Sequence, residues 1–276
     1  MSTMRKPVII LATAVLALLG ASCSKLKSRD QLNQGVQSFR NAQYPDAVEH
    51  FKKAVELDPN YATARLYLAT SYMQQYIPGA DSPENNQFWD AAYAQFKTVV
   101  DQDDKNSIAL ASIASLYLNK KDWDNARRWY ARLISVDPNN KEAYYSLGFI
   151  AWSQWYPKFN GERIALGMKE DDKFPFKDKK ANAELLEKYG PIIDEGLKNL
   201  DKCLEIDPEY EDAMTYKNLL IRERAYLADN KEDYDAQAKV ADGWMEKALA
   251  TIKDKAERKT KKANAGGIVA DPDATQ

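Results

Sequence analysis

The chain has 276 residues, with 45% hydrophobic and 29% charged side chains, a formal net charge of −2, and 11 glycines and 11 prolines. This length is enough for one sizeable elongated domain, and the small number of glycines and prolines favours an all-α chain. The near-neutral charge provides no extended positive field, which argues against nucleic acid as a partner.

The N-terminal residues have the pattern of an export signal. Arg5 and Lys6 precede an uncharged apolar run over residues 8–20, and small residues then lead to Cys23. A positive start, a short apolar run and small residues are typical of a secretory signal, and the run is shorter than the about 20 residues that span a bilayer. The sequence therefore predicts a signal peptide over residues 1–22.

The residues before Cys23 resemble the lipobox of bacterial lipoproteins, although Gly20 stands where leucine is usual. The resemblance implies that Cys23 becomes the lipidated first residue, with residues 23–27 as anchor and spacer. Ser24, rather than aspartate, follows it, and the rule for enteric lipoproteins then implies the outer membrane, on its periplasmic face in a Gram-negative cell. The alternatives are an ordinary signal peptide with an incidental cysteine, or an uncleaved anchor.

A short phrase recurs along the rest of the chain. Residues 56–60 read ELDPN, residues 135–139 read SVDPN and residues 205–209 read EIDPE, while a degenerate copy, DQDDK, occupies residues 101–105. In chain order the fourth residues of the copies are residues 59, 104, 138 and 208. They are 45, 34 and 70 residues apart, which fits a period of 34 with insertions of 11 and 36. A period of this length predicts a stack of helical repeats.

Apolar residues keep one register around each copy. A small residue recurs twelve positions before the fourth residue, a large one eight positions before it, and another small one ten positions after it. In that order they are Ala47, Ala92, Ala126 and Gly196; Phe51, Phe96, Tyr130 and Leu200; and Ala69, Ala114, Gly148 and Asn218. This spacing predicts an amphipathic helix on each side of the phrase, and the Asp-Pro pair ends the first of them. Each unit is then a helix hairpin that buries its apolar face by stacking on its neighbours.

The pattern resembles the tetratricopeptide repeat. The resemblance implies an all-α, right-handed α-solenoid of about five helix-turn-helix units over residues 28–252. Residues 241–252 are expected to form the last helix, and residues 253–276 a disordered charged tail. The sequence departs from the family pattern at Ser38, Asp104, Lys217 and Asn218. The units are predicted to begin near Ser28, Ala62, Ser107, Lys141 and Glu211.

Two insertions interrupt the period. Residues 75–88 are rich in turn-forming residues and are predicted to form a surface loop. Residues 153–189 combine aromatic and basic side chains, and short helices are expected at residues 162–168 and 182–189. Rings beside lysine and arginine suit stacking on sugars, peptides or anionic polymers. The alternative is that these rings cover the apolar edge of the solenoid or fill its groove.

In tetratricopeptide arrays the first helix of each unit lines a concave surface. Carried over to this chain, the resemblance implies a partner-binding groove whose richest part is a row of three rings in the fourth unit. A groove of rings with one arginine suits an extended or helical peptide. The candidate contact residues are Tyr145, Phe149, Trp152, Thr215, Leu219, Arg222 and Met73.

Residues that carry catalysis are scarce. His50 is the only histidine, and Cys203 is expected to be a small buried hydrophobe. The acids of residues 101–104 lack the glycine and glutamate that a calcium loop requires. No catalytic residue, metal site or cofactor is therefore predicted. The sequence favours a non-catalytic, lipid-anchored adaptor of the cell envelope that binds a protein or peptide; the alternatives are an envelope carbohydrate- or polymer-binding protein, and an enzyme.

Overall fold

The computed structural model describes residues 5–169 and 172–266, and the side chains of residues 23–169 and 172–261. The described residues confirm the predicted all-α class. They divide into two compact units, Met1–Val136 and Asp137–Gln276. The first contains α1 (Arg5–Arg40), α2 (Tyr44–Leu57), α3 (Ala62–Gln75), α4 (Pro83–Gln102), α5 (Ser107–Asn119) and α6 (Trp123–Val136). The second contains α7 (Lys141–Ala165), α8 (Lys179–Ile206), α9 (Glu211–Ala225) and α10 (Lys231–Gly266).

The helices pair as consecutive hairpins, from α1 with α2 to α9 with α10. Helices α3, α5, α7 and α9 begin at the residues where the sequence pattern predicts the start of a new helix-turn-helix repeat. The recurring phrase forms the turn between hairpins. Asp207 ends α8 and its Oδ1 accepts a hydrogen bond from Glu209 N at 3.0 Å. Asn140 Oδ1 accepts one from Ala143 N at 3.0 Å and caps α7, which satisfies a backbone N–H group that would otherwise lack a partner.

Small residues allow the paired helices to approach closely. In the first unit, a Cβ atom on Gly35 would lie 2.5 Å from the ring of Phe51, which is fully buried. The Ser28 hydroxyl donates to the backbone carbonyl of Ala54 at 2.7 Å and ties α1 to α2. In the second unit, a Cβ on Gly148 would lie 2.4 Å from Leu200 Cγ. The predicted register of small and large residues is thus the packing register of the hairpins.

The second insertion lengthens a hairpin instead of forming a separate excursion. Its residues extend α7 to Ala165 and begin α8 at Lys179, so the expectation of short helices at 162–168 and 182–189 is wrong. Trp155 and Phe159 lie one helical turn apart and continue the buried stripe of α7. Pro157 and Pro191 lie inside the two helices, where a proline ordinarily signals a helix end.

The first insertion is also largely helical. Its loop ends at Ser82, because Pro83 and the following residues form the first turn of α4. The Ser82 hydroxyl accepts from Asn85 N at 3.2 Å, and proline suits the first position of a helix because its missing N–H is not needed there. Asn85 is buried and its side chain bonds both backbone groups of Ile77. The prediction of a surface loop over residues 75–88 therefore holds only for its first half.

The predicted tail is helical over much of its length. Helix α10 continues past residue 252 to Gly266, so residues 253–266 are ordered where a disordered segment was expected. Two ion pairs account for part of this difference: Lys255 pairs with Glu211, and Arg258 Nη2 lies 2.9 Å from Glu209 Oε1. Both acids lie at or just before the start of α9, so they attach α10 to the neighbouring helix. Residues 267–276 of the predicted tail lie outside the described residues.

The predicted signal and anchor coincide with the first half of α1. The helix is continuous from Arg5 to Arg40, so the expected spacer at residues 23–27 is helical. Cys23 is exposed. Over residues 23–169 and 172–261, whose side chains the structure describes, no helix combines the length and apolar character needed to cross a bilayer. The side chains of the predicted signal, residues 1–22, lie outside that part, and lipid attachment at Cys23 remains a prediction.

The close contact at Gly148 predicts opposite effects for two glycine substitutions in the same helix. Gly148→Ala places a methyl group against Leu200 and is expected to lower the free energy of unfolding by about 1–3 kcal/mol. Gly161→Ala is the matched control, since a Cβ there meets nothing within 4 Å; it should raise stability by about 0.5–1 kcal/mol. Urea denaturation followed by circular dichroism measures both. Equal effects of the two substitutions would contradict the packing described here.

Candidate functional site

The predicted contact residues fall in both units. Met73 lies on α3 in the first unit and is half-buried. The other six lie in the second unit, with Tyr145, Phe149 and Trp152 on α7 and the remaining three on α9, and all six are half-buried. The second unit therefore contains the densest part of the predicted surface and is the candidate site.

Three rings of α7 converge on one tyrosine of α9. The centroids of Tyr145, Phe149 and Trp152 lie 5.8, 5.2 and 5.2 Å from the centroid of Tyr216, all three edge-on. The spacing of the three residues, four and then three positions, places them on one side of α7. Edge-to-face pairs at this separation contribute about 0.5–1.5 kcal/mol each beyond the burial of their area. The rings thus pack against one another across the α7–α9 contact.

The row continues beyond the predicted residues. The ring of Tyr156 stacks on Trp152 with centroids 4.9 Å apart, and Tyr156 remains 40% exposed. We call Tyr145, Phe149, Trp152, Tyr156 and Tyr216 the aromatic face. Sequence reasoning missed Tyr216 because it considered Thr215, the neighbouring residue, as the contact position. It missed Tyr156 because it assigned this residue to the second insertion, residues 153–189.

The other three predicted residues on α9 are engaged locally. The Thr215 hydroxyl donates to the backbone carbonyl of Glu211 at 2.9 Å. Arg222 Nη2 lies 2.5 Å from Asp242 Oδ1 on α10, so the predicted cation of the groove already has an acidic partner. Leu219 is half-buried. The structure therefore supports a site made chiefly of rings, in which the one predicted cation already has an acidic partner.

A buried carboxyl group lies behind the aromatic face. Glu223 on α9 is 5% exposed, and its Oε1 accepts a hydrogen bond from Trp152 Nε1 at 3.0 Å. Its Oε2 has no hydrogen-bond partner among the described residues. Burial raises the pKa of Glu223 to about 8, against the smaller opposing effect of the bond from Trp152. At neutral pH this side chain is therefore mostly protonated, and it fixes the orientation of Trp152.

The hydroxyls of Tyr145 and Tyr216 are neutral at physiological pH. Burial raises the pKa of Tyr145 and that of Tyr216 above the ordinary value. Tyr210, whose ring lies 5.2 Å from that of Tyr145, has its pKa raised to about 12, again mainly by burial. The hydroxyls can donate hydrogen bonds to a bound partner, but they do not supply charge.

The rings of the long insertion are mostly core residues. Trp155, Phe159 and Phe176 are buried, and Phe159 and Phe176 pack against Tyr226 with centroids 5.1 and 5.4 Å away. The backbone of Phe176 also donates to the carbonyl of Tyr226 at 2.8 Å. These rings are therefore unavailable for stacking on a sugar, because they pack in the core around Tyr226, the residue that follows α9.

The residues considered for catalysis occupy structural positions. His50 Nδ1 lies 3.0 Å from Gln31 Oε1 and joins α2 to α1. Cys203 is buried, and burial raises the pKa of its thiol to about 12, so the reactive thiolate is not formed at neutral pH. Over the described residues, no three histidine, cysteine or acidic side chains are grouped as a metal site requires.

Family models match two stretches of the chain. One, described as TPR repeat, covers residues 39–75, and another, described as tetratricopeptide repeat, covers residues 89–148. The chain carries tetratricopeptide repeats. Such repeats are typically non-catalytic modules for protein interaction, and their presence supports a protein-binding scaffold.

Individual proteins show the same resemblance. The Hsp70-Hsp90 organizing protein of Triticum aestivum is 26% identical over 213 residues, which cover 66% of this chain but only 36% of that relative. The crystal structure of MamA is 17% identical with a TM-score of 0.54, covering 81% of this chain and 96% of MamA. MamA from Desulfovibrio magneticus RS-1 is 13% identical with a TM-score of 0.54, and the match covers 83% of this chain and 96% of that structure. At these identities the two structures show the fold alone, an all-α solenoid.

The raised pKa of Glu223 predicts how stability depends on pH. Between about pH 4.5 and pH 8 the folded chain holds a proton that the unfolded chain has released, so the free energy of unfolding falls as the pH rises through this window. Glu223→Gln keeps an acceptor for Trp152 and removes the titration. It should exceed the wild type in stability at about pH 9 by on the order of 2–4 kcal/mol.

Urea denaturation at several pH values measures this difference. The matched control is Glu246→Gln, which changes an exposed carboxylate on α10 and should follow the wild-type pH profile. Parallel pH profiles for Glu223→Gln and the wild type would show that Glu223 is ionised in the folded chain.

Proposed function

We propose that this chain is a lipid-anchored adaptor of the cell envelope that binds a protein or peptide partner on its aromatic face, without a catalytic step. The observation that carries the proposal is the row of half-buried rings along α7 and α9 in a chain with tetratricopeptide repeats. Rings that are already oriented by their neighbours lose little conformational freedom on binding, which makes aromatic side chains effective contact residues.

The chemistry of the aromatic face favours a particular class of ligand. It offers apolar rings with the neutral hydroxyls of Tyr145 and Tyr216, and two cations on the same helices, Lys141 and Arg222, are paired with Asp207 and Asp242. We therefore expect a segment that inserts apolar or aromatic side chains, in an extended or helical conformation, rather than an acidic terminus that requires free cations. The name of the Triticum aestivum relative describes a protein that organises two chaperones, which supports a protein partner for this chain as well.

The N-terminal sequence supports the membrane attachment. Cys23 follows small residues and an apolar run, and it lies exposed on α1. A diacylated cysteine buries many methylene groups, each contributing about 0.8 kcal/mol, so that two or more acyl chains anchor a protein stably. We propose attachment through Cys23, and the periplasmic face of the outer membrane as the location if the source is Gram-negative.

Crosslinking in intact cells tests the aromatic face. A photoreactive residue at Tyr156 is expected to capture a discrete envelope protein, whereas the same probe at Leu186, which is similarly exposed on α8, should not. Adding Phe149→Ala should reduce the Tyr156 adduct about 10-fold, because loss of a central ring contact typically costs 1–2 kcal/mol or more. Identical products from both positions would contradict the site, and capture of glycan alone at Tyr156 would favour the carbohydrate-binding alternative.

Metabolic labelling with palmitate tests the anchor separately. The wild-type chain should incorporate label and fractionate with membranes, and Cys23→Ala should lose both properties. Cys203→Ala is the control, since Cys203 is buried and its counterparts in other repeats include alanine; it should label as the wild type does. Label that persists in Cys23→Ala would exclude this cysteine as the attachment point.

A further inference from the structure

One side of α10 carries apolar side chains that are open to solvent. Leu249 is 59% exposed and Ile252 is 47% exposed. Half-buried Met245 and exposed Ala256 continue the line in the two directions. The four residues follow one another at intervals of four, three and four, so they form a single stripe along about three helical turns. We call these four residues the α10 stripe.

The contact with α9 uses a different side of α10. Ala241 and Ala248 are buried in that contact, and the Thr251 hydroxyl lies 3.8 Å from Met214 Sδ. Lys255 and Arg258 pair with acids at the beginning of α9. Among the described residues, no other helix packs extensively on α10. The α10 stripe is therefore an apolar line without a partner, which differs from singly exposed apolar residues on an ordinary surface.

Two opposite charges lie along one edge of the stripe. Glu246 and Lys253 are both exposed, seven residues apart, next to Met245 and Ile252 in the sequence. Neither makes an ion pair with another described residue. A two-fold axis that crosses the stripe between Leu249 and Ile252 brings Glu246 of one copy beside Lys253 of a second copy, and the reverse pair forms at the same time. At these two positions the edge is thus complementary to itself in an antiparallel arrangement.

We propose that the α10 stripe is a self-association surface, on which two copies of this chain pair their α10 helices antiparallel. The same four apolar residues would be buried on both copies, and two Glu246–Lys253 ion pairs would fix the direction. This is the isologous contact expected for a two-fold dimer, in which one patch serves both partners. The stripe spans about three helical turns, or roughly 18 Å of helix, which gives an interface at the small end of specific ones. A dissociation constant on the order of 10–100 µM is therefore expected.

Analytical ultracentrifugation of the full chain tests the pairing, in a non-ionic detergent that keeps the apolar N-terminal run from associating. From about 5 to about 200 µM the wild type should pass from monomer to dimer. Leu249→Glu should raise the dissociation constant at least about 10-fold, because it places a carboxylate in the centre of the contact. Val240→Glu is the matched control. Val240 is 53% exposed on the opposite side of α10 and should leave the dimer unchanged.

A charge exchange tests the antiparallel direction. Each single substitution, Glu246→Lys or Lys253→Glu, creates two like-charge pairs across the interface. Each should therefore raise the dissociation constant of the dimer about 3- to 10-fold at low salt. The double substitution restores opposite charges and should return the constant to within about 2-fold of the wild type. Circular dichroism confirms that each variant is folded.

Several outcomes would overturn the proposal. A wild-type chain that stays monomeric at the highest concentration would show that the stripe does not bind a second copy, as would be the case if another protein covers it. A dimer that resists Leu249→Glu would place the contact elsewhere. A double substitution that is as weak as the single ones would exclude the antiparallel pairing of Glu246 with Lys253.

Discussion

The structure depends on close contact between paired helices at positions that lack a bulky side chain. Gly148 accommodates Leu200, and a Cβ on Gly196 would lie 2.4 Å from the Cβ of Ala151, so α7 and α8 face each other at two small residues. At this separation the apolar sides of both helices are buried together, and little space remains for adjustment. The same contact continues into the insertion, because Trp155 and Phe159 extend the buried side of α7 by further turns.

This packing also determines which rings remain for binding. The buried rings of the insertion belong to the core around Tyr226, whereas Tyr145, Phe149 and Trp152, which contact Tyr216, are only half-buried. Glu223 accepts a hydrogen bond from Trp152 on the buried side of the ring, and its other carboxyl oxygen has no partner in the described part of the chain. A binding surface whose members are fixed by the core beneath it is preorganised, and a partner need not order it.

The repeated phrase and its small residues made the hairpins predictable, including the first residues of α3, α5, α7 and α9. The helix lengths in the second insertion were less predictable, because tertiary packing extends α7 to Ala165 and begins α8 at Lys179 where short separate helices were expected. The candidate site was predictable as a row of rings on α7, since residue spacing alone places them on one side. Tyr216 and Glu223 were not, because their importance depends on how α9 is rotated against α7, and a buried glutamate leaves no periodic signal in the sequence.

The long insertion belongs to the folded core, so that α7 and α8 are continuous helices that support the aromatic face. Hydrogen–deuterium exchange of the full chain measures this, because amides in a packed helix exchange only when it opens. Residues 153–165 and 179–189 are expected to exchange nearly as slowly as residues 141–152 and 192–206. Exchange of these two segments at the rates of an unstructured loop, beside slow exchange in the rest of α7 and α8, would contradict this expectation.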